Sequence, residues 1–186
     1  MRLQLKSFNT MSVAVLSILM LSDAQSNTSQ NFSVRGLVFT GTGKLGDFAW
    51  MITQPEYQDA LFIFNDNEDQ FEAHRTSPES RTGPGCTHGG GTAVIRPFQC
   101  LSPPRAVGIP TGTDQGYDRL SSHVKQLIDK ATSQICKIIL DQGYQRIFYS
   151  AQNEQGDLGH GIFNPSEDVK TYIVKNLRDL PTTCTR

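Results

Sequence analysis

Ala60-Leu61-Phe62-Ile63-Phe64-Asn65 decides how this chain is read. An unbroken apolar run leaves no polar face, so a strand built from it must be covered on both sides. That is the pattern of a parallel sheet with helices on either face, not of an antiparallel sheet with one wet face. The polar burst Asn65-Asp66-Asn67-Glu68-Asp69 follows at once. Asn and Asp side chains cap helix starts, so the pattern predicts a short helix here with Phe71 and Ala73 turned inward.

The same reading extends in both directions. Residues 34–40 predict a first strand, ended by Gly41-Thr42-Gly43. In residues 45–52, Leu45, Phe48, Ala49 and Ile52 fall at helical spacing, and Pro55 stops that segment. Residues 75–91 have the composition of a loop, and residues 105–110 predict another strand, stopped by Thr111-Gly112. Residues 119–142 carry Leu120, Val124, Leu127, Ile128, Ala131, Ile135, Ile138 and Ile139 at spacings of three and four, with Gly143 as the stop. Residues 146–151 predict a further strand, and 156–161 a loop. A last helix runs from Ser166 to about Asp179. Strands alternate with helices, which argues an α/β fold with a mainly parallel sheet.

The chain has 186 residues, 37% hydrophobic and 19% charged, which suits one domain, placed here at residues 34–180. Lys+Arg is 17 and Asp+Glu 18, a net charge of −1. Such a balance gives no general attraction for nucleic acid or anionic lipid. No apolar run has the length of a membrane span. Arg2 and Lys6 precede the apolar residues 13–21, and Ser22-Asp23-Ala24 supplies a small-x-small pattern. Residues 1–24 therefore read as a signal peptide, and residues 25–33 as a polar linker with sequons at Asn27 and Asn31. The expected location is outside the cell or in the secretory lumen, with no stable membrane association after cleavage.

Cys86, Cys100, Cys136 and Cys184 allow three pairings. Cys86 with Cys100 can staple one loop, whereas Cys136, among apolar helix residues, reads as a buried thiol. His74, Cys86, His88 and Cys100 fit no standard zinc spacing, so neither a metal nor a cofactor is expected.

In open α/β sheets, ligands bind at the carboxyl ends of the strands. The unusual residues fall there. Gly89-Gly90-Gly91 and Gly108-Ile109-Pro110-Thr111-Gly112 expose backbone N–H groups with little bulk, as a pyrophosphate requires. Thr111 and Thr113 add hydroxyls. Asn65 and Asn67 offer amides suited to ribose hydroxyls, or caps for a helix. Asp47 beside Phe48 and Trp50 is placed to accept from an exocyclic amine, or to cap. Arg96 and Arg105 have the chemistry to meet a phosphate but read more simply as salt-bridged. Gly41-Thr42-Gly43-Lys44-Leu45-Gly46 fits G-x-G-x-x-G and keeps an NAD-binding Rossmann reading open; Leu45 excludes a P-loop. Ser150, Asp157 and His160 lack the elbow of a serine hydrolase.

Taken in order, these motifs resemble the macro domain, an ADP-ribose-binding module. Leu45-Gly46-Asp47-Phe48 is similar to the family's Gly-Asp-Ile-Thr segment. Ala60 to Asn65 resembles its asparagine-ended strand, and Gly89-Gly90-Gly91 its glycine triplet. Ile109-Pro110-Thr111-Gly112 with Gly116-Tyr117 resembles its phosphate loop. The family's Asn-Ala-Ala-Asn is one residue shorter here, Asn65-Asp66-Asn67. The resemblance covers roughly residues 36–151. It implies a three-layer α/β/α fold with a mixed, mainly parallel sheet, and an ADP-ribose-like small-molecule partner. It places Asp47, Phe48 and Ser150 at adenine, Asn65, Gly89, Gly90, Gly91 and Tyr117 at the distal ribose, and Gly108, Ile109, Pro110, Thr111 and Gly112 at the phosphates. Asn65 and Asp66 are the candidate catalytic pair for hydrolysis of an ADP-ribosyl linkage, with Asp66 as base. A secreted interaction domain without a small-molecule role is the remaining alternative.

Overall fold

The computed structural model describes residues 31–77 and 82–184. The segment read as a signal peptide lies outside them. Within the stretch read as a linker, Phe32 is buried and Ser33 already opens a strand.

The strands are β1 (Ser33–Val38), β2 (Ala60–Asn67), β3 (Ala106–Gly112) and β4 (Arg146–Ala151). They form one sheet in the order β1-β4-β2-β3. Every pairing between these strands is parallel, so among the described residues the four-stranded sheet is parallel and not mixed; single antiparallel bridges occur only where Gly112 and Ala151 meet loop residues. The helices are α1 (Phe48–Met51), α2 (Glu68–Thr76), α3 (Ser122–Gln142) and α4 (Glu167–Thr183). No helix of the described residues is long and apolar enough to cross a membrane.

Alternate residues of a strand face opposite sides, and β2 divides its apolar run accordingly. Leu61 and Ile63 pack with the α3 stripe of Val124, Leu127, Ile128, Ala131, Ile135 and Ile139, and with Ile173 and Leu177 of α4. Ala60, Phe62 and Phe64 pack with Phe48, Met51, Ala93 and Ile95. Helical segments thus cover both faces, as the unbroken apolar run requires. The second core is aromatic: Phe62 meets Phe48 edge-on at 5.2 Å between ring centroids and Phe148 at 5.6 Å.

Several boundaries depart from the periodicity. The segment at 45–52 forms only the four-residue α1. Residues 91–100, to which the sequence reading assigns no element, wind into a ten-residue 3-10 segment, Gly91–Cys100. On α2 the buried partner of Phe71 is His74 rather than Ala73. Cys86 and Cys100 are disulfide-bonded. Cys136 is no free thiol: it pairs with Cys184 and ties α3 to the end of α4. Two disulfides fit an oxidising environment such as that of secreted proteins.

Candidate functional site

A cleft of about 250 Å³ opens at the carboxyl end of β2. Asn65 and Asn67 form its floor, Gln70 of α2 flanks it, and the turn Thr87 to Ala93 makes one wall. Gly161, Ile162 and Phe163 line it as well, and Arg96 reaches it from the 3-10 segment. No carboxylate is among these lining residues. Amides, hydroxyls and bare glycine backbone make a surface matched to an anionic, hydroxyl-rich ligand.

Local bonding explains how the chain holds this shape. The Asn65 side chain donates through Nδ2 to the Gly159 carbonyl at 2.7 Å, and its backbone N–H donates to Thr92 Oγ1 at 3.2 Å. The cleft floor is thereby fastened to both walls. Asn67 caps α2 by accepting from the Asp69 N–H at 2.8 Å, and its Nδ2 donates to the Thr113 carbonyl. The glycine triplet closes on itself: Gly89 N–H donates to the Ala93 carbonyl at 2.9 Å, and Ala93 N–H to the Gly90 carbonyl at 3.1 Å. The first N–H groups of a helical segment have no acceptor within it, so those opening the segment at Gly91 are available to a ligand.

Asp66 alternates away from Asn65 onto the face of Phe62 and Phe64, where the 3-10 segment lies. There Arg96 donates to Asp66 Oδ1 through Nε at 2.9 Å and Nη2 at 2.5 Å, and Asn67 N–H donates to the same oxygen at 2.9 Å. Arg96 Nη1 continues to the Thr87 carbonyl at 3.0 Å. Asp66 is fully buried, and burial pushes its carboxyl above the usual range against the opposing pull of Arg96. The pair fixes the cleft wall; it does not present a carboxylate to the cleft. Gly89 makes room for it, since a Cβ there would sit 2.8 Å from Arg96 Nη1.

The expected site residues separate into groups. Asn65, Gly89, Gly90 and Gly91 line the cleft. Gly112 lies beside it, paired with Asn67 across β2 and β3. Gly108, Ile109, Pro110 and Thr111 form no loop: all are buried within β3, and Thr111 Oγ1 donates to the Asp66 carbonyl. Tyr117 donates to Glu68 Oε2 at 2.7 Å, and burial with the Glu68 carboxylate raises its phenol. Asp47 accepts from Gly43 N–H at 2.8 Å and caps α1, while Phe48 is buried in the aromatic core. Ser150 touches the site only through the Gly159 turn, whose N–H donates to its carbonyl at 2.8 Å. Arg105 is remote, donating to the Tyr57 and Ala60 carbonyls at the opposite end of the sheet.

Sequence reasoning left out Gln70, Thr87, Thr92, Gly161, Ile162 and Phe163. Asn67, His88 and Arg96 were considered but not assigned to the site. The glycines at 159 and 161 were the one available sign that this loop approaches another backbone closely. Compared with protein-family models, curated proteins and solved structures, the chain matches none.

Proposed function

We propose that the chain binds an ADP-ribose-like nucleotide diphosphate in the cleft at the end of β2, as a divergent three-layer, macro-domain-like protein. The observation that carries this is the lining itself: bare glycine backbone at the start of a helical segment, with amides and no carboxylate. The cleft is smaller than the roughly 300–1,000 Å³ that encloses a drug-sized ligand. It suits a pyrophosphate with one ribose, the triplet meeting phosphate and Asn65 and Asn67 meeting sugar hydroxyls, while the base lies outside. Ile162, 71% exposed at the rim, offers that base an apolar surface.

The reading is of binding. Asp66, held by Arg96 and sealed from solvent, is not placed as a base, so hydrolysis would need water activated by another group. The Rossmann alternative has less support: α1 spans four residues, and the Gly43 N–H already bonds Asp47. The disulfides support a secreted setting.

Isothermal titration with ADP-ribose, AMP and NAD tests this. Saturable heat with ADP-ribose, abolished by Gly90→Val and kept by Gly43→Ala, is the expected outcome. Heat abolished by the Gly43 change alone points to the Rossmann reading. No heat with any nucleotide leaves a secreted interaction domain.

A further inference from the structure

A second cluster shares no residue with the cleft lining. His74, in the last turn of α2, is buried, and so is Cys86; Cys100 is half-buried. The turn Pro84–Cys86 is pressed onto α2 so closely that a Cβ at Gly85 would sit 2.6 Å from the His74 backbone nitrogen. One ligand atom from each of His74, Cys86 and Cys100 lies within 4.8 Å of the others. His74 Nδ1 is 3.7 Å from Cys100 Sγ.

We infer that His74, Cys86 and Cys100 form a zinc seat that replaces the disulfide when the cysteines are reduced. Zinc bonds to sulfur at about 2.3 Å and to imidazole nitrogen at about 2.0–2.1 Å, so a tetrahedral site separates sulfur from nitrogen by roughly 3.6 Å and the two sulfurs by roughly 3.8 Å. His74 already stands at that spacing from Cys100. The sulfurs must part and Cys86 Sγ must settle at the same spacing from His74, which it approaches within 4.8 Å; Cα atoms 5.9 Å apart leave room for side-chain rotation to do it. Two thiolates and a neutral imidazole balance the charge of Zn²⁺, which suits a largely buried position. Soft sulfur donors with imidazole favour zinc over calcium or magnesium.

The chemistry balances. An external dithiol supplies two electrons and two protons, breaking the S–S bond, and is itself oxidised to a disulfide. Zinc then displaces the two thiol protons to solvent and gains two thiolate bonds and one imidazole bond. A fourth coordination position stays open to water.

The placement gives the exchange a consequence. Cys86 and Cys100 bracket the turn carrying Thr87, His88, the glycine triplet and Arg96, so either bond, S–S or S–Zn–S, clamps that wall. The other disulfide, Cys136–Cys184, belongs to no such cluster among the described residues and serves as the internal control.

The test uses the full chain, oxidised or reduced with a phosphine, equilibrated with Zn²⁺, desalted and assayed for bound metal. Co²⁺ replaces Zn²⁺ in a parallel sample to report tetrahedral thiolate bands. The reduced protein is expected to retain one zinc per chain and the oxidised protein none. A Cys136→Ser/Cys184→Ser variant should behave alike. His74→Gln should weaken zinc by more than the roughly 10–100-fold that loss of an outer-shell partner costs. Circular dichroism accompanies each sample. If reduction unfolds the chain, zinc that restores the spectrum supports the inference and zinc that does not overturns it. A reduced protein that retains no zinc, or retains it equally in His74→Gln, overturns it as well.

Discussion

Gly89-Gly90-Gly91 opens onto the cleft, whereas Gly108, near the same edge of the sheet, is sealed inside β3. A Cβ at Gly108 would lie 2.4 Å from Asp66 Oδ2, the buried carboxylate oxygen that accepts no bond from Arg96. A Cβ at Gly90 would meet only the Ile162 side chain, at 2.1 Å from its Cδ1. The first glycine is required by packing and the second leaves space for something outside the protein. Glycine therefore marks a ligand site only where the neighbour that would be struck can move aside.

Arg96 joins the two regions, and removing it should have the largest effect. Arg96→Met leaves Asp66 buried without its partner, with side chains only 6% and 0% exposed in the native pair. A loss of roughly 3–5 kcal/mol is expected. Urea unfolding checks it, and Asp66→Leu added to Arg96→Met should recover most of the loss. Gly108→Ala comes next, with a crowded core expected to cost about 1–3 kcal/mol in the same assay. Gly90→Ala should stay within about 0.5 kcal/mol of the parent, because the tip of an exposed side chain can swing away. Its effect should appear in ADP-ribose affinity instead, as a loss of at least about tenfold, or ~1.4 kcal/mol. Equal destabilisation by the two alanines would break the contrast.

A smaller effect lies at the far end of the sheet. Arg146 Nε donates to both oxygens of Asp59 at 3.0 Å, and this bonding holds the Asp59 carboxyl below its usual value. A carboxyl with a lowered folded pKa adds stability above its unfolded pKa of about 3.9 and loses it as pH falls through the folded value. Asp59→Asn should therefore melt below the parent at neutral pH, with the gap closing below about pH 4. A gap that persists in acid would assign the difference to packing.

The sequence showed the sheet and its covering helix more clearly than the site. Ala60 to Phe64 had to be buried on both faces, and the α3 stripe repeats at helical spacing over many turns. The 3-10 segment Gly91–Cys100 is harder to read because Pro97 stands inside it and argues against a helix. Cys136 read as a thiol because its partner Cys184 is 48 residues away, at the end of another helix. Gly108 to Gly112 reads both as the end of a strand and as a phosphate-binding stretch, because glycine carries the same letter in an open turn and under a crowding carboxylate; only the strand is found. Asp66, read as a base, meets an arginine that only the tertiary fold brings to it. Phe163 and Ile162 reach the cleft from a loop whose glycines signal a close approach without saying to which part of the fold.

The central claim is that main-chain amides of the glycine turn hold a diphosphate. Backbone amide chemical shifts of the isotopically labelled, oxidised protein, followed while ADP-ribose is added, test it most directly. The account predicts that the largest saturable changes fall on residues 89–92, with Asn65 and Asn67 following and residues 41–46 unmoved. Largest changes at residues 41–46, or none at residues 89–92, would contradict it.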